Sequence, residues 1–268
     1  MLSGAARIFE LSVGQMLWSR RTIFMALVVG LPVVIAVILR LLFQAGVPVM
    51  HVGGTNISGP VLFGLMMWGF FIRFAVPVLA VFYGTSLIAD EVEDKTITYL
   101  FTRPVPRGAV LLGKYLAYLV ATMSVVLPAV VLVWLFVAPI GSSLAATFPD
   151  LLKDLLVLAL GLTAYGAVFA LAGARLRRPL LFGLLFVFGW EGFALALPGS
   201  FKLVTVAHYL QGLVPHAMPA DSTLGVIQAL FQEVPSLGAS LAGLAAITAA
   251  ALWLAVRAVT TREYVLDQ

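Results

Sequence analysis

The chain has 268 residues, of which 62% are hydrophobic and only 10% are charged, and its formal net charge is +4. Repeated apolar runs of about 20 residues, the length that crosses a bilayer, exclude a soluble globular protein and indicate a polytopic membrane protein. The small excess of basic residues is typical of membrane-protein loops and does not support nucleic-acid binding, while the absence of cysteine excludes disulfides and thiolate chemistry.

The amino-terminal residues 5–21 mix apolar side chains with Arg7, Glu10 and Arg20. This mixture predicts an amphipathic helix lying in the membrane interface, with its basic residues toward the lipid headgroups. A disordered cytoplasmic tail is the alternative. The apolar run that follows is too long for a secretory signal.

Six apolar segments follow, and together they predict an all-α fold with a single membrane domain over residues 1–268. The second segment is long enough that it must tilt, kink at Pro77 or begin outside the bilayer. In the fourth, the spacing of Gly166, Ala170 and Ala174 predicts close helix packing, within or between subunits. The predicted spans cover residues 22–43, 60–89, 115–140, 151–174, 180–199 and 238–256.

The distribution of basic residues predicts the orientation of these spans. With the amino terminus in the cytoplasm, twelve of the 16 lysine and arginine residues lie on the inner side, and three lie outside. This imbalance predicts six spans with both termini in the cytoplasm. It also places residues 90–114 inside and the connector of residues 200–237 outside. Within that connector, Phe201 to Leu213 and Leu224 to Phe231 are candidate short helices.

Residues 90–114, called the central stretch below, form the one long polar interruption between the spans. They carry eight charges, four acidic and four basic. Two prolines between Arg103 and Arg107 break the helix, so we expect a short helix, a corner and a second helix that enters the membrane at Lys114. A transverse helix of this kind transmits a push from a soluble partner to two spans together.

Part of the central stretch matches the opening of a nucleotide-binding loop, since residues 108–114 read G-x-x-x-x-G-K. That motif needs serine or threonine next, to hold magnesium, and Tyr115 stands there instead. We therefore predict that the chain itself does not bind ATP.

No metal site is predicted either. The acidic residues from Asp90 to Asp94 fit a solvated helix start, although cation binding is the alternative reading. His51, His208 and His216 lack the spacing of metal ligands.

A spaced pattern in the central stretch carries a family resemblance. Its residues are Glu91, Glu93, Asp94, Thr96, Tyr99, Leu100, Arg103, Pro104 and Arg107, followed by Gly113 and Lys114. The pattern resembles the first cytoplasmic loop of type-2 ABC transporter permeases, which forms the coupling helix between spans two and three. Lys95 departs from it, because many members have glycine there. The six-span layout, the long outer connector and the amino-terminal segment, which is similar to the family's elbow helix, agree with this resemblance.

The resemblance implies what the chain does and what it works with. It implies the membrane subunit of an exporter in the plasma membrane of a bacterium or archaeon, with no catalytic residue and no cofactor of its own. Separate P-loop ATPase subunits would carry ATP and magnesium. A second permease copy, identical or related, would complete a dimer among membrane lipids.

Two charged residues fall within predicted spans. Arg73 and Glu191 lie about 15 and 11 residues from the inner ends of their spans, so their depths differ by roughly 6 Å. Charges at such depth usually face a partner or a wet cavity. We hypothesise that the two form a pair beside a translocation path; packing roles for each are the alternative.

Two other functional classes remain as alternatives. An integral membrane enzyme would need convergent polar residues within the spans, and the sequence contains no HExxH or GxSxG motif. An ion-coupled secondary transporter would show several buried carboxylates and inverted repeats, which are not visible in the sequence.

Overall fold

The computed structural model describes residues 2–17, 20–46, 51–52, 55–56, 58–93, 106–191, 193, 203–214 and 235–261. These ranges are almost entirely helical, which confirms the predicted all-α polytopic fold. The exception is small: His51–Val52 (β1) and Thr55–Asn56 (β2) pair as antiparallel strands between the first two spans.

Helices of 6 to 32 residues, two of them π-helical, make up most of the described chain. In order they are α1 (Leu2–Leu17), α2 (Arg20–Gln44), α3 (Gly59–Leu65), the first π-helix (Met66–Ala75), α4 (Val76–Gly84), α5 (Ser86–Glu93), α6 (Arg107–Val137), α7 (Leu144–Arg175), α8 (Pro179–Leu185), the second π-helix (Phe186–Glu191), α9 (Val206–Gln211) and α10 (Leu237–Thr261). The segments from α3 to α5 follow one another as a single irregular span.

Five helical stretches are long and apolar enough to cross a membrane within the described ranges. A sixth, Pro179–Glu191, is apolar but shorter, and residues 194–202 beyond it lie outside the described part of the chain. The six-span count therefore stays a prediction. The five long stretches are Thr22–Gln44, Gly59–Glu91, Arg107–Val137, Leu144–Arg175 and Leu237–Thr261.

Two of the spans begin earlier than the apolar runs indicate. Helix α6 starts at Arg107 and α7 at Leu144, ahead of the predicted starts at residues 115 and 151. Local capping explains the second case, because the Ser143 hydroxyl accepts a hydrogen bond from the backbone N–H of Ala146 at 3.3 Å. Apolar length marks the part of a helix suited to lipid, whereas the cap marks where the helix begins.

The amino-terminal helix α1 occupies the region predicted to form an amphipathic elbow. It packs against α6, with Ser12 buried and Leu11 exposed. The Thr22 hydroxyl donates a hydrogen bond to the carbonyl of Met16 at 2.6 Å, which ties the end of α1 to α2. Its placement in the membrane interface stays a prediction.

The sequence predicts that the second span tilts, kinks at Pro77 or begins outside the bilayer. In the structure this span widens into a π-helix just before Pro77. The backbone N–H of Val76 bonds to the carbonyl of Phe71, five residues back. Proline cannot donate the next regular helical bond, and its ring crowds the preceding turn. The π-helix absorbs that mismatch without ending the span.

Helix α7 is the centre of the bundle, since it contacts α4, α5, α6, α8, α9 and α10. Small residues allow the close approach: a side chain at Gly166 would meet the Tyr118 ring at 2.2 Å, and one at Gly173 would meet the backbone oxygen of Thr85 at 2.2 Å. Gly84 also packs on α7, where a side chain would meet the Cβ atom of Phe169 at 3.0 Å. The close packing predicted for this helix is thus made within the subunit.

Replacing Gly173 with alanine tests this packing. We expect Gly173→Ala to lower stability by about 1–3 kcal/mol, because the new methyl group must push the Thr85 carbonyl away. Thermal unfolding of the purified protein in detergent, followed by tryptophan fluorescence, measures the loss.

Gly30→Ala is the matched control, because nothing lies within 4 Å of a side chain at that position of α2. Its melting temperature should equal that of the wild type or be slightly higher, because alanine favours a helix more than glycine does. Equal melting temperatures of the two variants would show that α7 does not approach the Thr85 carbonyl closely at Gly173.

Candidate functional site

The structure describes the two ends of the central stretch. Glu91 lies in α5, Glu93 is the last residue of α5, and Arg107 is the first residue of α6. The predicted coupling helix between them stays a prediction. Six residues of its pattern lie outside the described residues: Asp94, Thr96, Tyr99, Leu100, Arg103 and Pro104.

An ion pair joins these two ends. The Lys114 ammonium lies 2.5 Å from a carboxylate oxygen of Glu91, and Lys114 is only 8% exposed. Both side chains of the pair are largely buried. Removing one partner would therefore leave the other charge poorly solvated, which destabilises the protein. The pair therefore fixes the distance between α5 and α6 where the central stretch leaves and re-enters the bundle.

An apolar cluster lies at the same end of the bundle. It joins α5, α6, α7 and α10, so that four helices meet beside the ends of the central stretch. Protein interiors are packed as densely as crystals, so a displacement of one member is passed to its neighbours. We call this group the end cluster; its fully buried members are Ile88, Leu111, Ala174, Ala255 and Val259.

A second polar site surrounds Glu191, the last residue of the second π-helix. The Tyr165 hydroxyl of α7 donates a hydrogen bond to one carboxylate oxygen, and the backbone N–H of Val206 donates to the other at 3.2 Å. Glu191 is 5% exposed. We call these three residues the Glu191 cluster; it joins α7, the second π-helix and the first turn of α9.

Helix α9 enters the bundle and does not lie on its surface. Its residues Val206, His208 and Leu210 are buried, and α9 contacts the first π-helix, α7 and α10. Leu210 packs beside Gly161, near the middle of α7. This helix lies within residues 201–213, where a short helix is predicted, whereas the second predicted helix, at residues 224–231, lies outside the described ranges.

Arg73 lies in the first π-helix and is exposed. Its guanidinium is 5.8 Å from the centre of the Trp68 ring, a cation–π distance. The ion pairs among the described residues do not include Arg73 with Glu191. Their pairing beside a path stays a prediction. Both charges occur in π-helical segments. Such segments are rare in proteins as a whole, and those that do occur are often found at functional sites.

Sequence reasoning missed one buried carboxylate. Asp154 of α7 is fully buried. Its helical spacing from Leu151, Leu158 and Gly161 puts it on the buried face, a signal that the sequence does contain. Tyr165 was missed as well, because its partner Glu191 is distant in sequence and only the fold brings the two together.

Thiol labelling tests whether the Glu191 cluster holds α9 in the bundle. Cysteine placed at Val206, which is 1% exposed, would be the only thiol in the chain. We expect Glu191→Ala to raise its labelling rate roughly tenfold, because two buried hydrogen bonds are lost.

Glu191→Gln should label like the parent, since it keeps an acceptor oxygen for the Val206 N–H. Leu185→Ala, an exposed position on the adjoining helix α8, is the control. Unchanged labelling in Glu191→Ala would show that apolar packing alone holds α9.

Comparison with known protein families matches residues 42–261 to the ABC-2 family transporter proteins. No curated protein matches the sequence. The matched region begins near the end of α2 and reaches the end of α10, so it includes the central stretch, the end cluster and the Glu191 cluster. Because the match covers most of its length, the chain belongs to the ABC-2 family of transporter proteins.

Proposed function

We propose that this type-2 ABC permease is the membrane subunit of an ATP-driven exporter, powered by separate P-loop ATPase subunits that carry ATP and magnesium. Family membership supports this, because a permease of the ABC-2 family works with a partner ATPase in general. The observation that carries the proposal is the convergence of four helices in the end cluster, beside the two ends of the central stretch.

In this proposal the ATPase pushes on the coupling helix within residues 90–114. The Glu91–Lys114 pair keeps α5 and α6 together, so that the push moves both helices. The end cluster then passes the displacement to α7 and α10. Force applied to one loop in this way reaches four helices.

Helix α7 extends this movement to the other half of the bundle. Ala174 belongs to the end cluster and Tyr165 to the Glu191 cluster, nine residues apart and therefore about 14 Å along one helix. A shift of α7 changes the contact between Tyr165 and Glu191. Because Glu191 also accepts a hydrogen bond from α9, the position of α9 changes with it. We propose that α9 separates the transport path from the outer side.

The orientation and assembly belong to the same proposal. Both termini lie in the cytoplasm, as the distribution of basic residues predicts. A second copy or a related permease completes the path, and the faces of α2 and α10 that stay apolar and exposed meet this partner or the lipids of a bacterial or archaeal plasma membrane.

Ion-coupled transport is the second candidate, because fully buried Asp154 adds a carboxylate to Glu191 within the bundle. Buried carboxylates are the groups that such transporters protonate or load with ions. Purified protein in vesicles separates the two: transport driven by an ion gradient alone, without an ATPase, contradicts the exporter proposal.

Charge reversal at Lys114 tests the coupling step. We expect Lys114→Glu to leave co-purification of the ATPase intact and to reduce permease-stimulated ATP hydrolysis roughly tenfold, because two carboxylates then repel between α5 and α6. The double variant Glu91→Lys with Lys114→Glu should recover most of the activity, since the pair is restored in reverse.

Lys153→Glu is the matched control, because Lys153 forms an exposed pair with Asp150 at 3.1 Å, away from the central stretch. Exposed pairs contribute little, so its ATP hydrolysis should equal that of the wild type. Failure of the double variant to recover, with normal folding by size-exclusion chromatography, would contradict the role given to the pair.

A further inference from the structure

Arg73 is a charged residue that is exposed in the middle of a membrane span. It lies 14 residues after Gly59 and 18 residues before Glu91, which are the two ends of that span. The midpoint of the span is therefore only two residues away from Arg73, so the residue lies near the centre of the bilayer. An arginine that faces lipid at this depth is costly, and such a residue usually faces a partner or a water-filled space.

Aromatic side chains surround Arg73 on a surface to which both π-helices contribute. The Arg73 guanidinium lies 5.8 Å from the centre of the Trp68 ring. The Phe74 ring, 36% exposed, lies 6.2 Å from the Phe188 ring of the second π-helix, which is 59% exposed. Gly69 is also exposed, and no described atom lies within 4 Å of a side chain built there. We call these five residues the Arg73 surface: one positive charge on an aromatic wall beside open space.

The described carboxylates are engaged elsewhere or lie inside the bundle. The ion pairs of the described residues join other groups. The two carboxylate oxygens of Glu191 accept hydrogen bonds from Tyr165 and from the Val206 N–H. Asp154 is fully buried in the bundle, whereas Arg73 is exposed. Helices α2, α3, α4 and α9, which contact the first π-helix, contain no acidic residue.

An identical second copy does not bring a negative charge to this surface either. Of the twelve acidic residues, only Asp154 and Glu191 lie within the six predicted spans, and both are buried. A second copy packed on the Arg73 surface would therefore offer apolar side chains or its own Arg73. Either arrangement leaves a guanidinium without a carboxylate in a medium of low dielectric constant, which is unfavourable. Open space that admits a negatively charged ligand removes this cost.

We propose that the Arg73 surface binds the anionic group of an amphipathic substrate on the transport path. The guanidinium binds a phosphate or carboxylate through two parallel hydrogen bonds. The apolar part of the substrate lies against Phe74 and Phe188. This proposal rests on the exporter function, because it names the class of molecule that the exporter carries. A neutral molecule of the same shape lacks the charge-assisted hydrogen bonds, so Arg73 selects by charge among molecules that dissolve in lipid.

A thiol introduced by Gly69→Cys reports both the access of water and the local charge. The chain contains no cysteine, and the open space at Gly69 admits the new side chain. The variant in phosphatidylcholine vesicles is treated with two methanethiosulfonates of similar size, one carrying a sulfonate and the other a trimethylammonium group. We expect both to react. Relative to a free thiol, the anionic reagent should react roughly fivefold faster than the cationic one, since Arg73 attracts the first and repels the second.

Further variants show whether this preference comes from Arg73. Arg73→Gln should abolish the preference, and Arg73→Lys should keep most of it because the charge remains. Arg40→Gln removes an equal charge from α2 and should leave the preference unchanged. Gly30→Cys is the matched thiol control, because its position is equally open and lies beside exposed Leu31 on α2. Its thiol should react with neither charged reagent.

Dodecyl phosphate tests the proposed class of ligand, with dodecanol as the neutral molecule of equal chain length and inorganic phosphate as the free anion. A neutral methanethiosulfonate is used here, so that charge on the vesicle surface does not change the reagent concentration. Dodecyl phosphate should slow labelling of Gly69→Cys roughly fivefold more than dodecanol does, because only the phosphate forms charge-assisted hydrogen bonds. Arg73→Gln should remove this difference, and inorganic phosphate should not protect the thiol.

Several outcomes would overturn the proposal. A thiol at Gly69→Cys that reacts with neither charged reagent shows that the Arg73 surface is covered by lipid or protein. Equal protection by dodecanol shows that charge is not recognised, and equal protection by inorganic phosphate identifies a site for free anions. An anion preference that appears only after Glu191→Gln, or only after Asp221→Asn with Glu233→Gln, shows that a carboxylate of the chain neutralises Arg73. Labelling requires neither an ATPase nor turnover, so it can fail while permease-stimulated ATP hydrolysis still supports the exporter function.

Discussion

The close approach of α7 to its neighbours is the constraint on which the rest of the bundle depends. Lipid tails are as apolar as leucine side chains, so helices in a bilayer associate through packing and not through exclusion from water. Gly161, Gly166 and Gly173 provide that packing by admitting Leu210, the Tyr118 ring and the Thr85 carbonyl. Without these contacts α7 could not touch six other α-helices, and the end cluster and the Glu191 cluster would have no element in common.

Lys114 and Glu191 are buried charged groups, and the packing of the helices holds fixed partners next to each of them. A charge inside a membrane domain is costly unless its partners are fixed in place. Lys114 has Glu91 as its partner at one end of the bundle, and Glu191 has the Tyr165 hydroxyl and a backbone N–H of α9. Each group of contacts joins separate helical segments. They therefore act on the relative position of helices, which is the quantity that a transporter must change.

The two regions are connected by a rigid element with discrete packing at both ends. A helix passes a displacement along its axis with little loss, and close-packed contacts change between arrangements and do not deform smoothly. In the proposed mechanism, movement of the end cluster acts on the Glu191 cluster through α7. The π-helices at Arg73 and Glu191 lie near the second region, and their bonding is less regular than that of an α-helix.

The sequence by itself determined the membrane class, the approximate spans and the family, because apolar length and the spacing of Glu91, Arg103 and Arg107 are properties of the linear chain. Only the tertiary structure decided that Lys114 binds Glu91, that Tyr165 and Val206 bind Glu191 and that α9 enters the bundle. The physical reason is that these contacts depend on the rotation and depth of separate helices relative to one another. Those quantities are set by which neighbours α7 packs against, and no local pattern encodes the identity of those neighbours.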